Sequence, residues 1–275
     1  MRSSELDRPR LSEQRREQIR ALLIEAGAVT VGELQARFSV SPMTARRDLD
    51  ELERRGFAKR THGGAVLPSV AGPENSFAQR VGVATEAKTR LADAAFGLLR
   101  PGETIFLDSS STAFYLARRI ALEAIRVRVI TNSGPVMQVL AAGEDPDVDL
   151  YAVGGKLRRL TGSYVGPSSV RTVREHFADR LFLSVTGVTR DGTLTDVDVL
   201  EAEVKRAMLE QAEESVLLLD GSKLAAHGRQ AIAPLAAVTL VLADGLAESD
   251  AERLRAGGAT VRLAAPRARR RFVPS

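Results

Sequence analysis

The chain has 275 residues, of which 44% are apolar and 27% charged, which suits two compact globular domains and excludes a fibrous or wholly disordered chain. There is no apolar run of about 18 residues that could span a bilayer, and the first ten residues lack the apolar stretch of a secretion signal, so we expect a cytoplasmic protein without membrane contact. The absence of Cys excludes disulfides and thiolate metal sites, and the three His are far apart in sequence. We expect neither a metal site nor a cofactor.

Basic charge is concentrated at the two ends of the chain. Residues 1–66 carry 13 Lys/Arg against 10 Asp/Glu, and residues 266–275 carry four Arg and no acid, whereas residues 67–265 have a net charge of −3. A basic N-terminal domain suits a phosphate-backbone partner, although a solvated surface has the same balance. The basic tail, 266–275, is compatible with a nucleic-acid arm or with a solubilising end.

Residues 11–66 are predicted to form a winged helix-turn-helix. Helical spacing of apolar residues predicts a first helix over 12–26. A second helix is predicted over Val31–Phe38, with Thr30 as its N-cap and Glu33 completing a capping box. A third helix is predicted to begin after Ser41, with Pro42 at its first position, and to end at Gly56. Residues 57–66 are typical of two short strands around a Gly turn, which would form the wing.

The third helix is the predicted recognition helix. Ala45, Leu49 and Leu52 recur at the spacing of a buried stripe, which leaves Arg47 on the opposite face. We expect Arg47 to read a base edge, guanine O6/N7, with Thr44 and Arg46 on phosphates and Met43 against a thymine methyl. A pair of Arg on a helix is ordinarily a solvated face, but here the capped helices, the turn and the basic hairpin occur together. The predicted contacts to double-stranded DNA are Ser41, Met43, Thr44, Arg46, Arg47, Lys59, Arg60, Thr61 and His62.

A linker and an α/β domain are predicted to follow. Residues 67–76 contain two Pro and a Gly without helical period and are interpreted as a linker. In residues 77–265, apolar strand-like runs alternate with helical segments, which predicts a largely parallel sheet. The predicted strands are 104–107, 127–131, 150–153, 181–185, 216–219 and 239–243.

Polar residues or glycines follow most of these strands, where ligands collect in open α/β sheets. The run Ser109–Thr112 lies between a strand and a predicted helix, so its hydroxyls and free N–H groups would suit a phosphate, although such a run is also an ordinary helix cap. The predicted effector-binding residues are Asp108, Ser109, Ser110, Ser111, Thr112, Thr131, Asn132, Gly154, Gly155, Lys156, Thr186, Gly187, Asp220, Ser222 and Lys223.

The motifs of both domains resemble the DeoR family of transcription regulators. The N-terminal resemblance is carried by the run 40–49, by Leu52-Glu53 and Gly56, and by the run 60–65, with Ala45 where Ile or Val is usual. The C-terminal resemblance is carried by shorter pieces, 154–155, 163–167, 201–205 and 220–223. It implies a sensor domain similar in fold to ribose-5-phosphate isomerase and glucosamine-6-phosphate deaminase that binds phosphorylated sugars. The first loop commonly contains Gly where this chain has Ser110, and a left-handed backbone there would strain a Ser.

The leading hypothesis is therefore a repressor of a carbohydrate-metabolism operon that is controlled by a phosphorylated effector. Because DNA half-sites mirror protein symmetry, we expect a homo-oligomer, a dimer or a tetramer. The competing hypothesis is a sugar-phosphate isomerase or deaminase with a DNA-binding appendage, using Asp196, Asp198 or Glu201 as general base beside Lys223. Acids at a strand end and helix start are more often caps, so we expect no enzyme and no catalytic residues.

Overall fold

The computed structural model describes residues 7–26, 28–66, 74–123, 125–143, 147–224 and 227–264. The predicted basic tail, 266–275, and residues 67–73 of the predicted linker lie outside these ranges. Within the described ranges, no helix is both long and apolar enough to cross a membrane.

The N-terminal elements form the predicted winged helix-turn-helix. The second helix has the predicted bounds, and both hydrogen bonds of the Thr30–Glu33 capping box are present. Ser41 caps the third helix and accepts a hydrogen bond from the N–H of Thr44. The sequence did not predict the three-residue strand after the first helix, which pairs with the second strand of the wing to give the strand order β1-β3-β2. The elements are α1 (Asp7–Ala26), β1 (Ala28–Thr30), α2 (Val31–Phe38), α3 (Pro42–Arg54), β2 (Lys59–Arg60) and β3 (Gly64–Val66).

The core of this domain confirms the predicted stripe on α3. Ala45, Leu49 and Leu52 are buried together with apolar residues of α1 and α2. Asp48 is also buried on this helix, and its carboxylate accepts from Arg15 Nε at 2.5 Å. The helix is therefore held against α1 by apolar packing and by one buried carboxylate.

The C-terminal elements form the predicted α/β domain around a seven-stranded parallel sheet. Its strand order is β15-β14-β12-β9-β4-β5-β6, and every neighbouring pair in it is parallel. Alternate side chains of the central strands enter two cores, one on each face, which is why the strands are continuous apolar runs in the sequence. The strands of this sheet are β4 (Glu103–Leu107), β5 (Val127–Thr131), β6 (Val148–Ala152), β9 (Ala178–Leu183), β12 (Ala212–Asp220), β14 (Leu240–Asp244) and β15 (Val261–Leu263).

Helices cover both faces of this sheet, and two small antiparallel sheets flank it. One small sheet is the β7–β8 hairpin, and the other has the order β10-β11-β13. The helices are α4 (Phe77–Gly82), α5 (Thr85–Phe96), α6 (Ser111–Ile120), α7 (Gly134–Ala141), α8 (Pro167–Arg174), α9 (Val199–Glu210) and α10 (Glu248–Ala256). The flanking strands are β7 (Lys156–Arg158), β8 (Ser163–Val165), β10 (Gly187–Val188), β11 (Thr193–Asp196) and β13 (Gln230–Pro234).

The strand order places a crevice at the centre of the sheet. Strand β4 lies between β5 on one side and β9 on the other, so the chain leaves the centre in both directions. The loops that follow β4 and β9 therefore diverge, and a crevice opens at the carboxyl ends of these strands, where ligands bind in folds of this class.

Candidate functional site

The exposed face of α3 presents most of the predicted DNA contacts to solvent. Met43 is 57% exposed, and Arg46 and Arg47 are exposed beside it. Within the described ranges, the guanidinium groups of both arginines have no hydrogen bond or ion pair. The hydroxyls of Ser41 and Thr44 bond to each other at 2.9 Å at the start of the helix. The arginines are therefore free to contact a nucleic acid, and their predicted role in DNA binding stays a prediction.

The wing carries the other predicted contacts, and one of them has an internal role. Lys59, Thr61 and His62 are exposed. The guanidinium of Arg60 instead donates to Asp50 of α3 at 3.0 Å and to the carbonyl of Gly64 across the wing. Arg60 thus fixes the wing against the recognition helix, which leaves it less free for DNA than its neighbours.

A cavity of about 400 Å³ opens at the carboxyl ends of β4, β9 and β12. We call it the strand-end cavity. Its walls contain seven of the predicted effector-binding residues: Ser110, Ser111, Thr112, Thr186, Asp220, Ser222 and Lys223. The loops after β4, β9 and β12 supply them, so the strand order explains why these segments meet.

The start of α6 provides hydrogen-bond donors at the cavity wall. Ser110 is the N-cap, and it has a φ of −74°, so this residue brings none of the strain that a left-handed backbone would cause. Its hydroxyl accepts from the N–H of Ala113 and donates to Asp108 at 2.5 Å. The hydroxyls of Ser111 and Thr112 have no hydrogen bond to another described residue, and first-turn N–H groups lack helical acceptors. The N-terminal end of α6 therefore offers several donors to an anion.

The other predicted effector residues do not line this cavity. Asp108 and Ser109 are buried beneath it, where Ser109 donates to Glu201 at 2.8 Å. Strand β5 lies on the far side of β4 from β9, so the residues at its end, Thr131 and Asn132, are remote from the loop after β12. Those outside the cavity walls are Asp108, Ser109, Thr131, Asn132, Gly154, Gly155, Lys156 and Gly187.

The sequence did not point to several residues that line the cavity. Lys205 of α9 is buried and bonds to Asp196 at 2.8 Å and to Asp108 at 3.2 Å. Burial alone would lower the pKa of Lys205, but the charges of these two carboxylates raise it. Lys205 is therefore a permanent cation. Other lining residues that were not predicted include Glu74, Arg80, Lys88, Ser184, His227 and Arg229.

Lys88 of α5 is a second buried amine in the cavity wall. Its Nζ donates to the carbonyls of Arg80 and, at 2.6 Å, of Val83. Burial lowers the pKa of Lys88 to about 7, with a further lowering from Lys223 and Arg80 and an opposing effect from Asp220. Lys88 lies on the same helical stripe as Leu91, so a charged residue on an apolar face was the sequence signal that could have identified it.

The carboxylates proposed as general bases for an enzyme are already engaged. Asp196 is paired with Lys205. Asp198 caps α9 by accepting from two backbone N–H groups and pairs with Arg158 at 3.1 Å. Glu201 is buried and accepts from the hydroxyls of Ser109, Thr161 and Ser163. Each therefore has a structural role in a helix cap, an ion pair or a buried set of hydrogen bonds.

The strand-end cavity borders the winged helix-turn-helix domain. Gly56, just after α3, is part of its wall, and it has a φ of +82°. A Cβ at this position would lie 3.1 Å from Val83 Cγ1 and 3.5 Å from Ser222 Oγ. The end of the recognition helix and the cavity therefore share one surface.

A second cavity, of about 670 Å³, lies between the two domains. Its three arginines are all paired, Arg54 and Arg55 with Glu51 and Arg90 with Asp244. Because these cations already have carboxylate partners, this cavity offers an anion less than the strand-end cavity does.

Two protein families match the chain in succession. Residues 15–70 match the family described as DeoR-like helix-turn-helix domain, and residues 83–245 match the family described as DeoR C terminal sensor domain. The two matches cover the recognition helix, the wing and most of the strand-end cavity.

Two curated relatives match over most of their length. The HTH-type transcriptional regulator GlpR of Haloferax volcanii is 33% identical over 252 residues, which is 91% of this chain and 97% of the relative. The glycerol-3-phosphate regulon repressor of Escherichia coli K12 is 33% identical over 228 residues, 83% of this chain and 88% of the relative. Among solved structures, ribose 5-phosphate isomerase A of Methanocaldococcus jannaschii is 21% identical with a TM-score of 0.37. The match covers 51% of this chain and about half, 54%, of that chain.

Proposed function

Because this chain belongs to the DeoR family of transcription regulators, we propose that α3 and the wing bind operator DNA and that a phosphorylated metabolite in the strand-end cavity controls this binding. The relatives are named as regulators and repressors, which supports a transcription regulator over an isomerase or deaminase. We further propose that the chain is a repressor and that it acts as a dimer or tetramer on two-fold symmetric DNA.

One observation carries the link between the two activities: Gly56 ends the recognition helix and also lines the strand-end cavity. An occupant of the cavity would contact the DNA-binding domain directly. It can therefore favour one orientation of α3 over another, which is what a ligand needs in order to shift a conformational equilibrium.

The DNA-binding half of the proposal rests on Arg47 as the base-reading residue and on Arg46, Thr44 and Lys59 as phosphate contacts. For Arg46, Arg47 and Lys59, this assignment is supported by their exposure and by the absence of side-chain partners among the described residues, and Thr44 lies beside them at the start of the helix. The effector half rests on the α6 N-terminus with Ser111, Thr112 and Lys223, which together offer donors and positive charge to a phosphate.

The function is tested with the full chain and the DNA upstream of its own gene. We expect binding, followed by fluorescence anisotropy, to weaken steeply as salt rises, because phosphate contacts release counterions. A thermal-shift screen of phosphorylated metabolites, beginning with glycerol 3-phosphate, should identify the effector, since a ligand at 100 times its Kd adds about 2.7 kcal/mol to stability. DNA binding that no phosphorylated compound alters would contradict the effector half, and a lack of salt-sensitive DNA binding would contradict the regulator half.

A further inference from the structure

One wall of the strand-end cavity is formed by a short segment that was not predicted to lie there. We call residues 74–84, which contain α4, the α4 strap. Tyr115 of α6 donates from its hydroxyl to the carbonyl of Val81 at 3.1 Å, and Phe77 packs edge-on against Phe114 at 5.3 Å between ring centroids. The strap is therefore fixed to α6, the helix whose N-terminal end lines the cavity. It contributes Glu74, Asn75, Arg80, Val83 and Ala84 to the cavity walls.

Arg80 of the strap has an unsatisfied guanidinium. Its Nε and Nη2 atoms are buried and have no hydrogen-bond partner among the described residues. A buried charged donor without an acceptor is unfavourable, so such a group in a cavity wall suits an anionic ligand that supplies the acceptor. The carboxylate Asp196 in the same cavity is already paired with Lys205.

The charges of the cavity leave a positive surplus for such a ligand. Glu74 is paired with Arg158 and Asp196 with Lys205, so Asp220 is the one carboxylate of the described cavity wall that has no ion-pair partner. Lys223 has no hydrogen bond or ion pair to another described residue. Arg80, Lys223 and Arg229 likewise have no ion-pair partner among the described residues, so these three cations outweigh the charge of Asp220 in the cavity that contains the donors of the α6 N-terminus.

We propose that Arg80 binds the anionic group of the effector, so that the α4 strap, and not only the loops at the strand ends, forms the phosphate site. This inference rests on the proposed function of the strand-end cavity. A guanidinium presents parallel N–H donors that match two oxygens of a phosphate, which a lysine cannot do. Val83, at the end of the strap, lies against Gly56. A phosphate bound to Arg80 would therefore contact the same strap that packs against the end of the recognition helix.

The test uses inorganic phosphate as the probe and the full-length chain, with chloride adjusted so that ionic strength stays constant. We expect phosphate to raise the melting temperature of the wild type, and Arg80→Gln to weaken the apparent phosphate affinity about tenfold to hundredfold. Arg80→Lys keeps the positive charge but lacks the paired N–H donors of the guanidinium, so it should give an intermediate phosphate affinity. Arg128→Gln, an exposed arginine of β5 that pairs with Asp149 outside the cavity, is the matched control and should bind phosphate as the wild type does.

The outcomes separate this assignment from the proposed function. Equal phosphate affinity in the wild type and in Arg80→Gln overturns the role of Arg80 while leaving the cavity as an effector site. A wild type that does not respond to phosphate overturns both the role of Arg80 and the anion site, whereas operator binding remains an independent measurement. A purely structural role would lower the melting temperature of Arg80→Gln without phosphate and leave its phosphate affinity unchanged. If Arg80→Gln does not fold, Arg80→Lys decides, and wild-type phosphate affinity in that variant contradicts bidentate binding.

Discussion

The guanidinium of Arg20, on the first helix, donates from Nη2 to the carbonyl oxygen of Gly221 at 3.0 Å across 201 residues of sequence. The same group pairs with Asp250 at 3.1 Å and lies 4.5 Å from the ring centroid of Phe57. Gly221 belongs to the loop after β12, whose neighbouring residues Asp220 and Ser222 line the strand-end cavity. The DNA-binding domain is therefore hydrogen-bonded to a loop of the proposed effector site.

Replacing Arg20 should weaken this connection. Arg20→Met keeps an apolar stem over Phe57 but removes the donors, and hydrogen bonds to charged groups contribute about 1.5–3 kcal/mol each. We expect the free energy of unfolding in urea to fall by about that amount. Glu17→Gln, which alters only the exposed partner of the same arginine, should change it by less than about 1 kcal/mol. Comparable losses in the two variants would show that the contact with Gly221 contributes little.

Replacing Arg47 should reduce the sequence preference of DNA binding. If Arg47 reads guanine, Arg47→Ala should cost about 1–3 kcal/mol on the preferred site and much less on a site with that base pair changed. Arg37→Ala, which removes an exposed cation from the last turn of α2, should weaken binding to both sites equally. The measurement is a competition anisotropy titration with the two DNA duplexes. A uniform loss for Arg47→Ala would assign this residue to a phosphate.

Gly56 should not tolerate a side chain. Its φ of +82° disfavours any L residue, and a Cβ would lie 3.1 Å from Val83 Cγ1. Gly56→Ala should therefore lower the free energy of unfolding by about 1 kcal/mol or more. Gly63→Ala in the wing is the control, since nothing lies within 4 Å of its Cβ position. Equal unfolding free energies for the two variants would show that the strap yields to the added methyl group and that the backbone strain is small.

Lys88 should make stability depend on pH. The pKa of Lys88 is about 7 in the folded chain and near 10.5 in an unfolded one, because burial disfavours its charge. Between these values the unfolded state binds more protons, so the contribution of Lys88 to stability rises as pH increases from about 7 towards 10.5, by at most about 1.4 kcal/mol per pH unit. Below pH 7 the amine is charged in both states, and this gain is absent. Lys88→Met should therefore flatten the pH dependence of the unfolding free energy over this range.

The opposite slope in the wild type, or the same slope in Lys88→Met, would contradict this assignment. Lys205 provides a comparison, because its carboxylate partners raise its pKa above the unfolded value. Its contribution to stability is complete below that unfolded value and is lost only at higher pH. Lys205 therefore does not add to the pH dependence of stability that is expected from Lys88 between pH 7 and 10.5.

The sequence predicted the elements whose determinants are local. Thr30 with Glu33, and Ser41 with Pro42, determine the starts of α2 and α3 through bonds within four residues, and the structure has both caps where they were predicted. Strands β1 and β15, of three residues each, depend on pairing with partners distant in the chain and were not predicted. The length of α1 was also underestimated at its N-terminal end, since it begins at Asp7.

The cavity was predictable only in part, for a topological reason. The loop after each strand could be identified from polar residues, but the order of the strands could not. The end of β5 was therefore grouped with the ends of β4 and β12, although both β4 and β9 lie between β5 and β12 in the sheet. Arg80 lies outside every strand end and has no local pattern around it that indicates a ligand. Only the packing of α4 against α6 places it at the cavity.

The loop after β12 has a consequence for hybrid regulators. One of its sides belongs to the strand-end cavity through Asp220, Ser222 and Lys223, and its other side is recognised by Arg20 and Phe57. A winged helix-turn-helix transplanted from a relative would have to fit this sensor domain at that loop. A chimaera that keeps ligand control must therefore retain Arg20 and Phe57 of this chain together with its sensor domain. Joining the two domains at the linker alone would replace these two residues and lose their contacts with the loop.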